Sequence, residues 1–230
     1  MPRSVVLAGA ARCPGCRLPP RWCVCHSLPP VKASVDIDLL IHRHERFKPS
    51  STGMLIARAV PQAVCHGYER DADLDACRSG IPRAGRELWI LHPRGEPFPT
   101  IESTTDSPAD PTAGPRSLQV LLLDGNWRQA GEMLRAIEGL GRCVRLPEAG
   151  PSRYWLRSQH EAGHVSTAEA LIAVLRGVGD GPAADGLQLH FELHVYATLL
   201  SRGRRQAAED YLSDSPLIAT IPHVVARVRG

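Results

Sequence analysis

The sequence predicts an α/β protein, a mostly parallel sheet covered by helices, with a small cysteine-bearing module in front of it. Three observations carry this expectation. Short apolar runs alternate with segments of helical period, the pattern of strands joined by helices and therefore running parallel. Three of those runs, Glu87–Leu91, Val120–Leu123 and Arg142–Leu146, stop at turn-forming residues. Four of the seven cysteines cluster between Cys13 and Cys25.

The cysteine module is taken as residues 1–30. Cys13, Cys16, Cys23 and Cys25 follow the spacing C-x2-C-x6-C-x-C. Two short pairs on a short loop suit a tetrahedral thiolate site for zinc. Disulfides are the competing use of such pairs. The N-terminal apolar stretch is too short for a secretion signal, so a reducing, cytoplasmic setting is expected. Four thiolates leave no open coordination position, so the zinc is expected to be structural. Cys65, Cys77 and Cys143 are scattered and read as buried thiols.

Residues 31–230 form the second unit. Val35–Ile41 reads as a strand ending in His42-Arg43-His44-Glu45, and Ser50-Ser51-Thr52-Gly53 opens a helix reaching about Ala63. Glu87–Leu91 is a strand closing on His92-Pro93. Glu102–Arg116, rich in Pro, Thr, Ser and Asp, is an aperiodic surface loop. Val120–Leu123 delivers Asp124-Gly125-Asn126-Trp127. Ala130, Met133, Leu134 and Ile137 then mark one apolar helix face. Asn126 suits the N-cap of that helix, with Gln129 returning a bond, which would leave Asp124 free. Arg142–Leu146 is a short strand stopped by Pro147. Val165–Arg176 and Leu187–Ala208 read as helices, the first capped by Ser166 and Glu169, with residues 177–186 a loop between them. The turns at Leu91–Pro93, Asp124–Trp127 and Leu146–Glu148 are expected to share one crevice at the carboxyl ends of the strands. No Gly-x-Gly-x-x-Gly follows a strand and no Walker loop is present, which argues against dinucleotide and P-loop sites.

The 230 residues carry a formal net charge of +3, too little to establish nucleic-acid binding. All but two of the 27 cationic side chains, Lys32 and Lys48, are arginine. Arginine suits phosphates and base stacking, although a general compositional bias explains it equally. No apolar run has the length of a membrane span.

His160-Glu161-Ala162-Gly163-His164 matches the zinc-protease pattern, in the wrong setting. Gly163 weakens a helix, a better helix start follows at Ser166, and no third ligand is evident. Arg153, Tyr154 and Arg157 group cations with an aromatic ring, which suits a carboxylate or phosphate beside a flat ring. Ser166 and Thr167 bring hydroxyls to a helix N-terminus, where an anion is favoured. Capping and packing explain the same residues equally well. His42 and Glu45 form another candidate pair. Arg202-Gly203-Arg204-Arg205 reads as a solvated helix face.

Taken in order, these segments resemble the DTW-domain family of tRNA-uridine aminocarboxypropyltransferases over nearly the whole chain. The resemblance rests on Cys13, Cys16, Cys23 and Cys25, on His42, Glu45, Thr52 and Gly53, and on the D-x-T-W motif, here Asp124-Gly125-Asn126-Trp127. It continues through Ser152, Tyr154 and Arg157 to Ser166, Thr167 and Glu169. Asn126 stands where the motif has threonine, and Arg43 where the family tends to have proline. Both Asn and Thr cap helices, so the turn should survive.

The resemblance implies a SPOUT-like fold with a knotted C-terminal half. It implies transfer of the 3-amino-3-carboxypropyl group of S-adenosylmethionine to N3 of a tRNA uridine, releasing methylthioadenosine. Asp124 is the expected catalytic carboxylate. The expected S-adenosylmethionine cradle is Thr52, Gly53, Leu91, His92, Pro93, Asp124, Gly125, Trp127, Leu146, Pro147, Tyr154, Arg157, Ser166 and Thr167. Within it, Trp127 and Tyr154 would stack on a base, and Arg157 or Arg153 would hold the carboxylate. Arg12, Arg17 and Arg21 of the zinc module, with His42, Glu45 and Arg153, are expected to meet the tRNA. The competing readings are a SPOUT-type RNA methyltransferase with the same cofactor and a non-catalytic zinc-ribbon RNA-binding protein.

Overall fold

The computed structural model describes residues 11–70, 74–99, 118–146, 151–157 and 165–230. Its centre is a five-stranded, all-parallel sheet in the order β2-β1-β4-β3-β5. The strands are β1 (Asp36–His42), β2 (Val64–Tyr68), β3 (Glu87–Pro97), β4 (Leu118–Asp124) and β5 (Arg142–Arg145). The helices are α1 (Thr52–Ala59), α2 (Leu74–Gly80), α3 (Trp127–Ala136), α4 (Thr167–Gly177), α5 (Gly181–Ser201), α6 (Arg205–Ser213), α7 (Leu217–Thr220) and α8 (Pro222–Arg229). The predicted fold class is thus met in its α/β character and its parallel sheet.

Alternation along each strand splits the core in two. Ile37, Leu39 and Ile41 of β1, Trp89 and Leu91 of β3, and Val120 and Leu122 of β4 face α1, α4 and α5. Leu40, Leu88, Ile90, Leu121 and Leu123 face the other way, toward Met133 of α3 and Ile137 at its end. Asp124 continues the Val120–Leu122 series, so period two delivers it to the face of α1 and α4. Cys16, Leu18 and Val24 of the cysteine module are buried in this same core.

Several boundaries differ from expectation. Helix α1 ends at Ala59 because Pro61 cannot extend it. Strand β3 runs past His92-Pro93: it leaves β4 at Leu91 and pairs again with β5 at Glu96–Pro97. The expected loop 177–186 contains the start of α5. The Asp180 side chain accepts the Ala183 N–H, and Pro182 falls in the first turn, where no N–H is needed. The single helix expected over Leu187–Ala208 is two, because Gly203, at φ 71°, turns the chain after Arg202. Strand β2 and helices α2, α7 and α8 are additional to the expected elements; β2 is a short edge strand with mostly exposed side chains. Of the three scattered cysteines, Cys65 is exposed and Cys143 only half-buried, because each sits on an edge strand. The Cys77 side chain, Pro147, the surface loop Glu102–Arg116 and the His160–His164 pattern lie outside the described residues. Among the described residues no helix is long and apolar enough to cross a membrane.

Candidate functional site

Parallel strands bring their carboxyl ends to one edge. In register, Ile41 lies beside Asp124, and Leu91 beside Leu122. Two helices on the Asp124 face, α1 and α4, begin at this edge, and α3 follows directly from the end of β4. Ser51 caps α1, its hydroxyl accepting the Met54 N–H at 3.1 Å. Ser166 caps α4 in a full capping box with Glu169. The box expected at Asn126 and Gln129 also forms, with bonds of 2.8 and 2.9 Å.

Asp124 lies between the two helix starts and is 4% exposed. Its Oδ1 accepts the Gly53 N–H at 3.1 Å and the Thr167 hydroxyl at 2.8 Å, and its Oδ2 accepts the Ser51 hydroxyl at 2.8 Å. The carboxylate expected to be free is therefore engaged by three donors from two helices. A side chain at position 53 would put a Cβ 2.6 Å from Asp124 Cγ, so only glycine permits this approach. Burial pushes the Asp124 pKa above the ordinary aspartate value, against the opposing pull of the Thr167, Ser51 and Gly53 bonds. The sequence places Ser51 at a helix start; that its hydroxyl donates to Asp124 depends on the fold.

A second carboxylate organises the neighbouring turn. Glu45, 1% exposed, accepts Lys48 Nζ at 2.7 Å and Arg157 Nη2 at 2.5 Å. Tyr154 donates its hydroxyl to the Ser50 carbonyl. Glu169 does more than cap: it also accepts the Ser152 hydroxyl, at 3.0 and 2.9 Å, and the Arg153 N–H at 2.7 Å. The segment 152–157 is thereby tied to the starts of both α1 and α4. Glu169 was visible as a cap, but its second task was not.

The expected site residues separate into three groups. Thr52, Gly53, Asp124, Gly125, Ser166 and Thr167 gather at the strand edge, with Leu91 and His92 beside them on β3 and Leu146 just beyond β5. Pro93 and Trp127 are exposed, Trp127 at 45%. Tyr154 is buried in the core, tilted against Phe191 at 6.3 Å, so its ring is not presented to a base. Arg153 points inward too. It makes a bidentate pair with buried Glu192, at 3.0 and 2.8 Å, and lies 4.2 Å from the Tyr211 ring centre. Its Nε and Nη2 are thus engaged inside the protein rather than presented to RNA or a cofactor carboxylate. His42 and Glu45 are likewise buried rather than turned outward; burial lowers the His42 pKa, and neighbouring His44 adds to it. Arg12 and Arg21 are exposed and Arg17 is half-buried.

The four cysteine sulfurs lie within 4.8 Å of one another, and those of Cys13 and Cys25 are 3.6 Å apart. Four thiolates around one zinc stand about 3.8 Å apart, so the set fits that ion. Burial raises the Cys23 and Cys25 thiols, and the other sulfurs of the cluster oppose their ionisation further. A cation among them removes that penalty. Arg58, in the last turn of α1, donates to the carbonyls of Gly15 at 3.2 Å and Met54 at 3.0 Å. Its Nη2 is buried without a hydrogen-bond partner, a cationic donor left beside the sulfur cluster.

The sequence model of a family described as the DTW domain matches residues 10–199. The chain belongs to the DTW-domain family. No solved structure matches it. The match takes in the cysteine cluster, the His42–Gly53 turn, Asp124–Trp127 and the start of α4, so the residues tied together around Asp124 all fall inside the DTW domain.

Proposed function

We propose that this DTW-domain protein transfers the 3-amino-3-carboxypropyl group of S-adenosylmethionine to N3 of a uridine in tRNA, releasing methylthioadenosine. The observation that carries the reading is the meeting of Asp124, Ser51, Gly53 and Thr167 at the carboxyl edge of a parallel sheet, where such sheets take ligands.

In this reading N3 attacks the methylene carbon bonded to the sulfonium sulfur. The carbon–sulfur bond breaks, its electron pair stays on sulfur, and the N3 proton passes to a carboxylate. Asp124 is assigned that role. Its Oδ2 carries one hydrogen bond where Oδ1 carries two, and burial raises its affinity for a proton. The donor's own carboxylate is assigned to Arg157 and to the start of α4. Trp127 is assigned to stack on a base, and Leu91, His92 and Pro93 of β3 with Leu146 and Pro147 to line the cradle. Zinc would be held by Cys13, Cys16, Cys23 and Cys25 and take no part in the chemistry, since four thiolates close its coordination.

A SPOUT-like knot belongs to the same proposal. The strand order supports it: β5 lies at the far edge, yet the segment after it reaches back to Ser50 and Glu45 at the end of β1.

The test is incubation with labelled S-adenosylmethionine and unmodified tRNA, followed by identification of the small-molecule product and the nucleoside mass. Methylthioadenosine with an aminocarboxypropyl uridine is the expected result. S-adenosylhomocysteine would mean methyl transfer, and tRNA binding without either product would mean a binding protein.

A further inference from the structure

We propose that the turn between β1 and α1, residues 43–48, forms with Arg17 a ledge on which an unpaired RNA base stacks near the strand edge that carries Asp124. The inference rests on the tRNA reading above and assigns the substrate to a surface that reading leaves open.

Phe47 is 67% exposed, the most exposed large apolar side chain among the described residues. A phenyl ring left in water gains nothing for folding. The Arg17 guanidinium reaches over that ring from the cysteine module, 5.9 Å from its centre. Around Phe47 the turn is cationic: Arg43, Arg46 and Lys48 are exposed, while Glu45 is drawn inside to Lys48 and Arg157. Arg43 keeps an exposed partner in Glu69, leaving the turn and Arg17 with an excess of positive charge.

The turn is also held in shape. The Glu45 N–H donates to the His42 carbonyl at 2.8 Å, Lys48 to Glu45 at 3.0 Å, and Ser51 to Lys48 at 3.0 Å. Ser51 then donates its hydroxyl to Asp124. A base on Phe47 would therefore rest four residues from the group that touches the catalytic carboxylate, on a backbone that need not reorganise.

The chemistry of this surface selects its partner. Protein interfaces bury clustered apolar side chains and disfavour lysine. One isolated ring amid cations is the pattern of single-stranded nucleic-acid sites, where the ring stacks and the cations meet phosphates. The base must be unpaired, because a base inside a duplex offers no open face.

The experiment titrates the full-length protein with an unmodified tRNA transcript by fluorescence anisotropy, comparing wild type with Phe47→Ala, Phe47→Leu, Phe47→Trp and Arg46→Ala. Phe47→Ala should weaken binding by roughly 5- to 100-fold, Phe47→Leu nearly as much, and Phe47→Trp should bind at least as well as wild type. The salt dependence should keep its slope in Phe47→Ala and lose about one phosphate's worth in Arg46→Ala. Melting temperatures should stay within about 2 °C of wild type, because the ring is exposed. Wild-type affinity in Phe47→Ala, or full rescue by leucine, overturns the ledge and leaves the tRNA reading standing. No tRNA binding by the wild type overturns both.

Discussion

The two ends of helix α1 are held by opposite kinds of site. Its first turn is gripped by Asp124, a carboxylate that arrives from β4 and receives donors 73, 71 and 43 residues away. Its last turn meets the cysteine module through Arg58, and the outer cysteines there are only 12 residues apart. One site is assembled by the fold; the other is written into a short stretch of chain and then docked. The difference teaches where each is vulnerable. As a zinc site the cysteine cluster would depend on its ion, whereas the carboxylate cluster depends on the relative placement of a strand and two helices. Because one eight-residue helix joins them, damage at either end should be felt at the other.

The largest effect should come from taking the metal away. Chelation, or Cys23→Ser, should cost several kcal/mol, about 10 °C or more in melting temperature, since such clusters fold with their zinc. Calorimetry with zinc analysis checks this; an unchanged melt in metal-free protein would show that the module does not depend on the ion. Next comes Asp124→Ala, which leaves two buried donors and one half-buried donor without an acceptor and should cost roughly 3–5 kcal/mol together with the proposed transfer activity. Asp124→Asn should fold with a smaller loss yet transfer at least about 100-fold more slowly, within the usual worth of proton transfer. Near-normal turnover in a folded Asn variant would remove the proposed role.

Gly53→Ala should follow at about 1–3 kcal/mol, because the new methyl cannot fit against Asp124 unless the helix start moves. Urea melts would read it, and an unperturbed variant would mean that the grip is slack. At the other end, Arg58→Met keeps the bulk and removes the charge. It should weaken zinc binding by about 10-fold, measured by competition with a chromogenic chelator, as loss of groups supporting a metal's ligands commonly does.

The smallest signal is the pH dependence. Burial raises the Asp124 pKa, so the folded state holds this proton more tightly than the unfolded chain. Its contribution to stability is present below the unfolded value of about 3.9 and is lost as pH rises through the folded value. Urea melts across that range should show stability falling with pH more steeply in wild type than in Asp124→Asn. The acid limb of kcat/KM should sit above the ordinary carboxylate range for the same reason.

How far the sequence could be read follows the same division. The zinc spacing, both capping boxes and the central strands are local patterns, and each appears in the structure. Asp124 was singled out, but as a free carboxylate, because nothing within its own segment donates to it. Tyr154 and Arg153 looked like ligand groups because a cation beside an aromatic ring reads the same whether it faces solvent or core. The partner that decides for Arg153, Glu192, lies 39 residues away inside α5. Nothing local marks Phe47, because one phenylalanine in a charged turn has no periodicity.

By itself, then, the sequence determined the α/β class, the cysteine cluster and the helix caps, since each depends on residues within a turn or two of one another. The tertiary structure alone decided that Asp124 would be clasped by two helix starts, that Glu45 would turn inward and leave Phe47 on the surface, and that Arg58 would lie beside the sulfurs. Those outcomes depend on burial, and burial is fixed only when distant segments pack.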